Sequence, residues 1–163
     1  MSRPREFRAL LPVSLLLALV LGLLPLPEWL SPLRPYWVAL VLAYWALEAP
    51  QRVGLGIAFV VGVIADLVYG TLLGEQALRL VILVFLVLRF RPRLRFFPLS
   101  QQALAVFALL LNDRVLVAAV RAFTGEGWPQ PLFWAAPVVG MLLWPWLFLL
   151  LDDLRLRQRS REG

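Results

Sequence analysis

Residues 54–74 read GLGIAFVVGVIADLVYGTLLG, and Asp66 is the only charge in the run. A carboxylate there costs on the order of 3 kcal/mol if the run is a helix centred in lipid, so it needs a partner or a task. Two further polar sites interrupt apolar sequence. Arg79 stands near the start of the next segment, and Asn112, Asp113 and Arg114 stand together in a later one. The carboxylates and guanidinium groups of Asp66, Arg79, Asp113 and Arg114 balance in charge, which makes them one candidate cluster. Asp113 and Arg114 are adjacent and do not face each other on a helix, so each must look to another helix. Similar depth pairs Asp66 with Arg114, and leaves Asp113 to Arg79 or water. Two roles stay open for Asp66, a structural interhelical pair and a direct functional contact. Arg79 and Arg121 lie near segment ends and are expected to snorkel toward the headgroups.

Other chemistry is largely excluded. Cysteine and histidine are absent and every basic residue is arginine. Disulfides, Cys or His metal sites, Cys or His nucleophiles and Schiff-base lysines are therefore impossible. There is no GxxxxGK[ST] phosphate loop, no HExxH and no paired acidic motif at an aqueous face that would hold Mg²⁺. The expectation is a non-enzyme without cofactor or metal.

The elements that position the cluster follow from composition. The chain has 163 residues, 61% of them hydrophobic, and a mean hydropathy of +0.81. A soluble domain of this length needs more polar surface. The reading is an all-α integral membrane protein, a single bundle of about six transmembrane helices over 1–163. The spans fall roughly at 9–25, 35–48, 53–70, 76–90, 100–122 and 132–151, with Pro- and Gly-rich turns between them. The second is short and recruits its flanks. Residues 152–163 form a basic cytoplasmic tail. The basic start and apolar first segment lack a small-x-small cleavage site, so that segment reads as a retained span.

Arginine placement sets orientation. Arg3, Arg5, Arg8, Arg52, Arg89, Arg91, Arg93, Arg95, Arg155, Arg157, Arg159 and Arg161 fall on one side, about 12 of the 16. Both termini are then cytoplasmic. The pI near 11.2 reflects this bias and no nucleic-acid partner. Tyr36, Trp37, Trp128, Phe133 and Trp134 sit at outer span ends as aromatic belt residues.

Two patterns bear on helix contacts. Gly54, Ala58, Gly62, Asp66, Gly70 and Gly74 recur at every fourth position, a stripe of small side chains. It reads first as internal helix packing and second as a docking face for another protein's helix. In the last span, Pro145 frees the carbonyl of Met141 and is expected to kink the helix. Trp144 and Trp146 flank it, either packed inside or facing a partner.

The stretch RPYWVALVLAYWALEAPQRVGLGIAFVVGVIADLVYGTLLGEQAL resembles the core of MreD, a family of bacterial rod shape-determining membrane proteins. Three features carry the resemblance. Trp37, Tyr44 and Trp45 lead into a Pro–x–Arg turn at Pro50 and Arg52. The third span is glycine-spaced around Asp66 and closed by Gly70 and Leu73–Gly74. FPLSQQAL opens the fifth span, and FWAAPVVGMLLWPWLFLLLDDLRLR ends the chain's apolar part. The resemblance covers nearly the whole chain, and the SQQAL and WPW elements suggest a proteobacterial type.

The resemblance implies an inner-membrane component of the elongation machinery, or elongasome. It implies direct association with MreC, and through it with MreB, RodA and a penicillin-binding transpeptidase. The implied fold is similar to the substrate-binding component of energy-coupling-factor transporters. Two functions compete: a membrane scaffold that binds MreC and helps regulate peptidoglycan synthesis, and a small-molecule or lipid binding component of a membrane transporter. A scaffold needs a closed, internally paired cluster and a lipid-facing groove. A binding component needs a pocket that reaches the charges.

Overall fold

A computed structural model describes residues 5–162, with the side chains of 10–157 and Ser160. Arg3 and the side chains of Arg5, Arg8, Arg159 and Arg161 lie outside them. Six α-helices follow in order, α1 (Arg5–Gly22), α2 (Trp37–Glu48), α3 (Leu55–Tyr69), α4 (Glu75–Leu94), α5 (Leu99–Thr124) and α6 (Ala136–Glu162). Short 3-10 turns lie at Ser31–Leu33 and Pro131–Ala135. The expectation of an all-α chain holds among the described residues. Individual ends differ by a few residues from the sequence reading, for example α1 at Arg5–Gly22 and the start of α6 at Ala136, and two helices run on at their C-termini for reasons of packing. α4 continues past Phe90 and through Pro92, held by the buried Leu94 and by Arg91 Nε donating to Leu47 O at 2.8 Å. α6 does not stop at Leu151 but runs on as helix through the arginine-rich tail.

α2 is the axis of the fold. Its sequence VALVLAYWAL has no polar face, and every residue from Val38 to Leu47 is buried. A helix that is apolar all round is stable only when enclosed. α1, α4 and α6 pack directly on it, α3 pairs with α4, and α5 pairs with α6. α4 also touches α5, and α6 touches α1, so the outer helices form the sequence α3–α4–α5–α6–α1 around α2. Contact between α1 and α3 is sparse, leaving one seam in the ring.

The five outer helices turn apolar faces outward. Leu16 and Leu17 on α1, Phe59 and Leu67 on α3, Phe85 on α4, Leu104 on α5 and Leu142 and Leu150 on α6 are all exposed. Such a surface is unsuited to water and suited to lipid. α5 and the stretch Pro131–Arg157 are each long and apolar enough to cross a membrane. α3 and the Leu10–Gly22 part of α1 are shorter apolar helices.

Hydrogen bonds define two ends. At the end holding the α6 C-terminus, Arg155 bonds Glu48 at 3.0 Å and Asp152 at 3.1 Å, and Gln102 Nε2 donates to Leu94 O at 2.9 Å. The opposite, distal end gathers the α1–α2, α3–α4 and α5–α6 connections. The predicted polar cluster lies toward that distal end.

Candidate functional site

α3 and α4 are joined by a short turn over 70–74, which forces them into an antiparallel pair. Gly62 sits where their backbones meet. A Cβ built there would lie 2.2 Å from Ala77 Cα and 2.6 Å from Ala77 N, so only glycine permits the approach. Gly70 ends α3 in the left-handed region at φ 67°, and its N–H donates to Asp66 O.

The same geometry explains Asp66. One turn before the end of α3, its side chain faces the start of α4 and is 2% exposed. Oδ1 accepts from Thr71 Oγ1 at 2.6 Å and from the Gln76 N–H at 2.8 Å. Oδ2 accepts from the Gly74 N–H at 2.8 Å. The N-cap of α4 is Gly74, which has no side chain to cap with. Asp66 supplies the missing acceptor from the neighbouring helix, and its charge lies against the positive end of α4. The expected Asp66–Arg114 pair is therefore not formed. The carboxylate is satisfied by one hydroxyl and two main-chain donors instead of a cation.

The second expected pairing is present. Arg79 Nε and Nη2 donate to the two oxygens of Asp113 at 2.8 and 2.7 Å. This two-toothed pair is buried, with Arg79 8% and Asp113 4% exposed. Arg79 thus does not snorkel, because a carboxylate on α5 meets it inside the bundle. Its guanidinium carbon also lies 4.4 Å from the centre of the Tyr36 ring, and Tyr36 hydrogen-bonds Gln76 Oε1. Arg121 reaches outward to Glu126 at 3.4 Å.

Arg114 has neither Asp66 nor any other carboxylate within ion-pair distance among the described residues. Its guanidinium carbon lies 4.4 Å from the centre of the Phe133 ring, a cation–π contact. Phe133 is buried, so it serves as a platform for Arg114 and not as a belt residue. Asn112 points out of the bundle.

The small-residue stripe divides. Ala58, Gly62 and Asp66 are buried on α3, with Gly62 and Asp66 facing α4, which favours internal packing. Gly70 and Gly74 lie beyond the helix and act through their left-handed backbone, not as part of a helix face. Gly54 is the α3 N-cap. A docking face along this stripe is thus ruled out at Gly62 by the α4 backbone. The WPW element also divides. Trp144 is fully buried, with Nε1 3.4 Å from Gln102 Oε1, so it is a core residue and does not face a partner. Trp146 is 76% exposed and does face outward, and Pro145 lies inside α6.

Several cavities border these groups, among them one of about 610 Å³ lined by Glu28, Arg114, Arg121, Trp128 and Phe133; two others bear most on function. The distal one, about 400 Å³, is lined by Arg34, Tyr36, Tyr69, Gln76, Arg79 and Arg114 together with apolar residues. Arg34 and Tyr69 were not singled out by sequence. Arg34 was legible only as a lone arginine in a proline-rich loop, and Tyr69 as the last aromatic of α3. The other is a groove of about 400 Å³ on the outer surface between α4 and α5. It is apolar, with Leu86, Phe90, Phe97 and Leu109 on its walls, Arg93 at one end and Asn112 as its polar group. Among the described residues no three acids gather to hold a metal. Among the described residues the polar groups of the cluster cap a helix, pair across helices and present guanidinium charge.

Comparison with known proteins gives a consistent answer. Residues 4–154 match the model of a family described as rod shape-determining protein MreD. A rod shape-determining protein MreD from Haemophilus influenzae is 34% identical over 143 residues, covering 85% of this chain and 86% of that protein. No solved structure matches. A family match over almost the full length, with a 34% identical relative that covers 85% of the chain, places this chain in the MreD family of rod shape-determining proteins.

Proposed function

We propose that this protein is a six-span, non-catalytic scaffold of the rod complex in the bacterial inner membrane, which binds MreC and helps regulate peptidoglycan synthesis. Family membership supports a role in cell shape. The observation that carries the scaffold reading is internal satisfaction of three of the four charges expected to do chemistry, Asp66, Arg79 and Asp113. Asp66 caps α4 and Asp113 holds Arg79, while the outer helices present apolar faces. What remains for a partner is surface, and the α4–α5 groove with Asn112 suits the span of a single-pass protein. An amide facing lipid gains by hydrogen-bonding a polar group on another helix, and α4 and α5 touch only lightly there.

The topology follows from the same reasoning. The end holding the α6 C-terminus and the arginines of α4 and the tail is cytoplasmic, and the distal end faces outward. α2, at 12 residues, rises only about 18 Å, less than the ~30 Å hydrocarbon core. It crosses as part of the bundle because neighbouring helices enclose it and protein groups meet both ends, Gln76 at Tyr36 and Arg155 at Glu48.

Co-purification with MreC of the same organism in mild detergent tests this, beside depletion scored by cell shape. A stable complex, weakened by Asn112→Leu, with rounded cells on depletion is the expected result. No association and retained rod shape would overturn it. The distal cavity reaching Arg79 and Arg114 is the specific observation favouring a second reading, a small-molecule or lipid binding component of a membrane transporter. A small molecule that co-purifies while rod shape is independent of the protein would bring that reading forward.

A further inference from the structure

The distal cavity collects cations without matching carboxylates. Three guanidinium groups line it, from Arg34, Arg79 and Arg114, and no Asp or Glu does. Asp113 neutralises Arg79 through Nε and Nη2, which leaves Nη1 outside that pair. Arg34 donates Nη1 to Gly22 O and Nη2 to Leu24 O, both at 2.8 Å. These are neutral acceptors at the end of α1, and Arg34 Nε is buried with no hydrogen-bond partner. Arg114 rests on Phe133 and makes no ion pair among the described residues. Two positive charges, those of Arg34 and Arg114, thus stand at one cavity without an ion pair among the described residues, while Glu28 and Arg114 line a neighbouring cavity.

The remaining polar lining favours the same sign. Tyr36 hydrogen-bonds Gln76 Oε1, which leaves the Gln76 amide N–H groups to donate. Tyr69 donates to Leu19 O. The cavity also has a side door. It lies at the α1–α3 seam, the one gap in the ring of outer helices, and Leu23 and Val68 on its lining are exposed and apolar. An anion with a hydrocarbon tail fits such a place, with its head among the arginines and its chains along α1 and α3.

We propose that this cavity is a binding site for a phosphate group, with Arg114 and Arg34 as its principal cationic contacts. Arginine's fork of donors matches phosphate oxygens. The phosphate belongs either to the headgroup of an anionic phospholipid entering at the seam or to a soluble phosphate compound entering from the distal face. The site is independent of MreC and is read on the isolated full-length protein.

Delipidated protein in neutral detergent is presented with phosphatidylglycerol, with a diacylglycerol of the same chains, or with inorganic pyrophosphate. Native mass spectrometry and thermal shift read binding. Phosphatidylglycerol is expected to bind and diacylglycerol not. Arg114→Gln should weaken binding about tenfold, the worth of one charge-assisted contact, and Arg114→Lys should recover much of it. Arg157→Gln, on the exposed tail, should match wild type. An Arg114-dependent shift with pyrophosphate alone would assign the site to a soluble phosphate. Unchanged binding of both phosphate probes by Arg114→Gln would overturn the proposal. Wild-type protein gives a check that does not depend on a variant folding. The bound probe should slow phenylglyoxal modification of Arg114 but not of Arg157, and equal rates with and without probe would also overturn it.

Discussion

Replacing Asp113 with leucine isolates the cost of the buried Arg79. Leucine is close to aspartate in size, so the change removes charge with little change of shape. Arg79 would keep its place, 8% exposed, but lose both bonds of 2.7–2.8 Å. Removing one partner of a buried pair costs about 3–5 kcal/mol, most of it from the charge left behind. At roughly 2–4 °C per kcal/mol for a chain of this size, Tm should fall by about 10 °C. The double variant Arg79→Met, Asp113→Leu removes both charges and should return to within about 2 kcal/mol of wild type. The assay is thermal unfolding in detergent, followed by the fluorescence of the seven tryptophans. An Asp113→Leu protein melting within 2 °C of wild type would refute the reasoning, since Arg79 must then escape to water or lipid headgroups. Additive losses in the double variant would refute it as well, because they would leave no coupling between the two residues.

The other expectations use the same melting assay. Gly62→Ala places a methyl group against the Ala77 backbone and should lower stability by about 1–3 kcal/mol, whereas Gly56→Ala, with open space around it, should not. Asp66→Ala strips the acceptor from two main-chain N–H groups and the Thr71 hydroxyl and should cost about 3 kcal/mol, with Asp66→Asn recovering part of it. An Asp66→Ala protein with wild-type Tm that loses MreC would instead make Asp66 an interface residue. Trp144→Ala should cost about 3–5 kcal/mol by opening a core cavity, while Trp146→Ala should stay within about 0.5 kcal/mol in the isolated protein.

The helices were legible because hydropathy and breakers carry them. Pro98, Gly70, Gly74 and Gly125 each stand at a helix end, and the six apolar segments each hold one helix. The boundaries that escaped did so for tertiary reasons. The Pro92 turn looks like a stop, but Arg91 reaches Leu47 O on α2 and Leu94 packs inside, so α4 continues. The tail of α6 reads as a polar end, yet Arg155 bonds Glu48 and Asp152 and keeps its helix attached to α2. The split between Trp144 and Trp146 was only half legible. Two residues apart on a helix must point in different directions, but which one points inward depends on Gln102 of α5, forty-two positions away.

The Asp66 pairing shows where charge counting goes astray. Depth and opposite sign made Arg114 the natural partner, and the sum of charges made the cluster look closed. Main-chain N–H groups carry no formal charge and so do not enter such a sum, yet a helix start offers several together. The signal was in the spacing. A connection of five residues, bracketed by Gly70 and Gly74, must fold α3 back along α4 and set Asp66 beside the first turn of the next helix. Gly62, one turn earlier on the same face, is then required to be small by the same close approach. Once Asp66 is assigned to main-chain donors, the balance of the cluster changes. Asp113 can neutralise only one guanidinium, and it takes Arg79 with both oxygens. Arg114 is left with the face of Phe133, and Arg34, on the other side of the cavity, has only carbonyls. A cluster that is neutral in sequence is therefore divided in space into a carboxylate that holds two helices together and a cavity that is cationic.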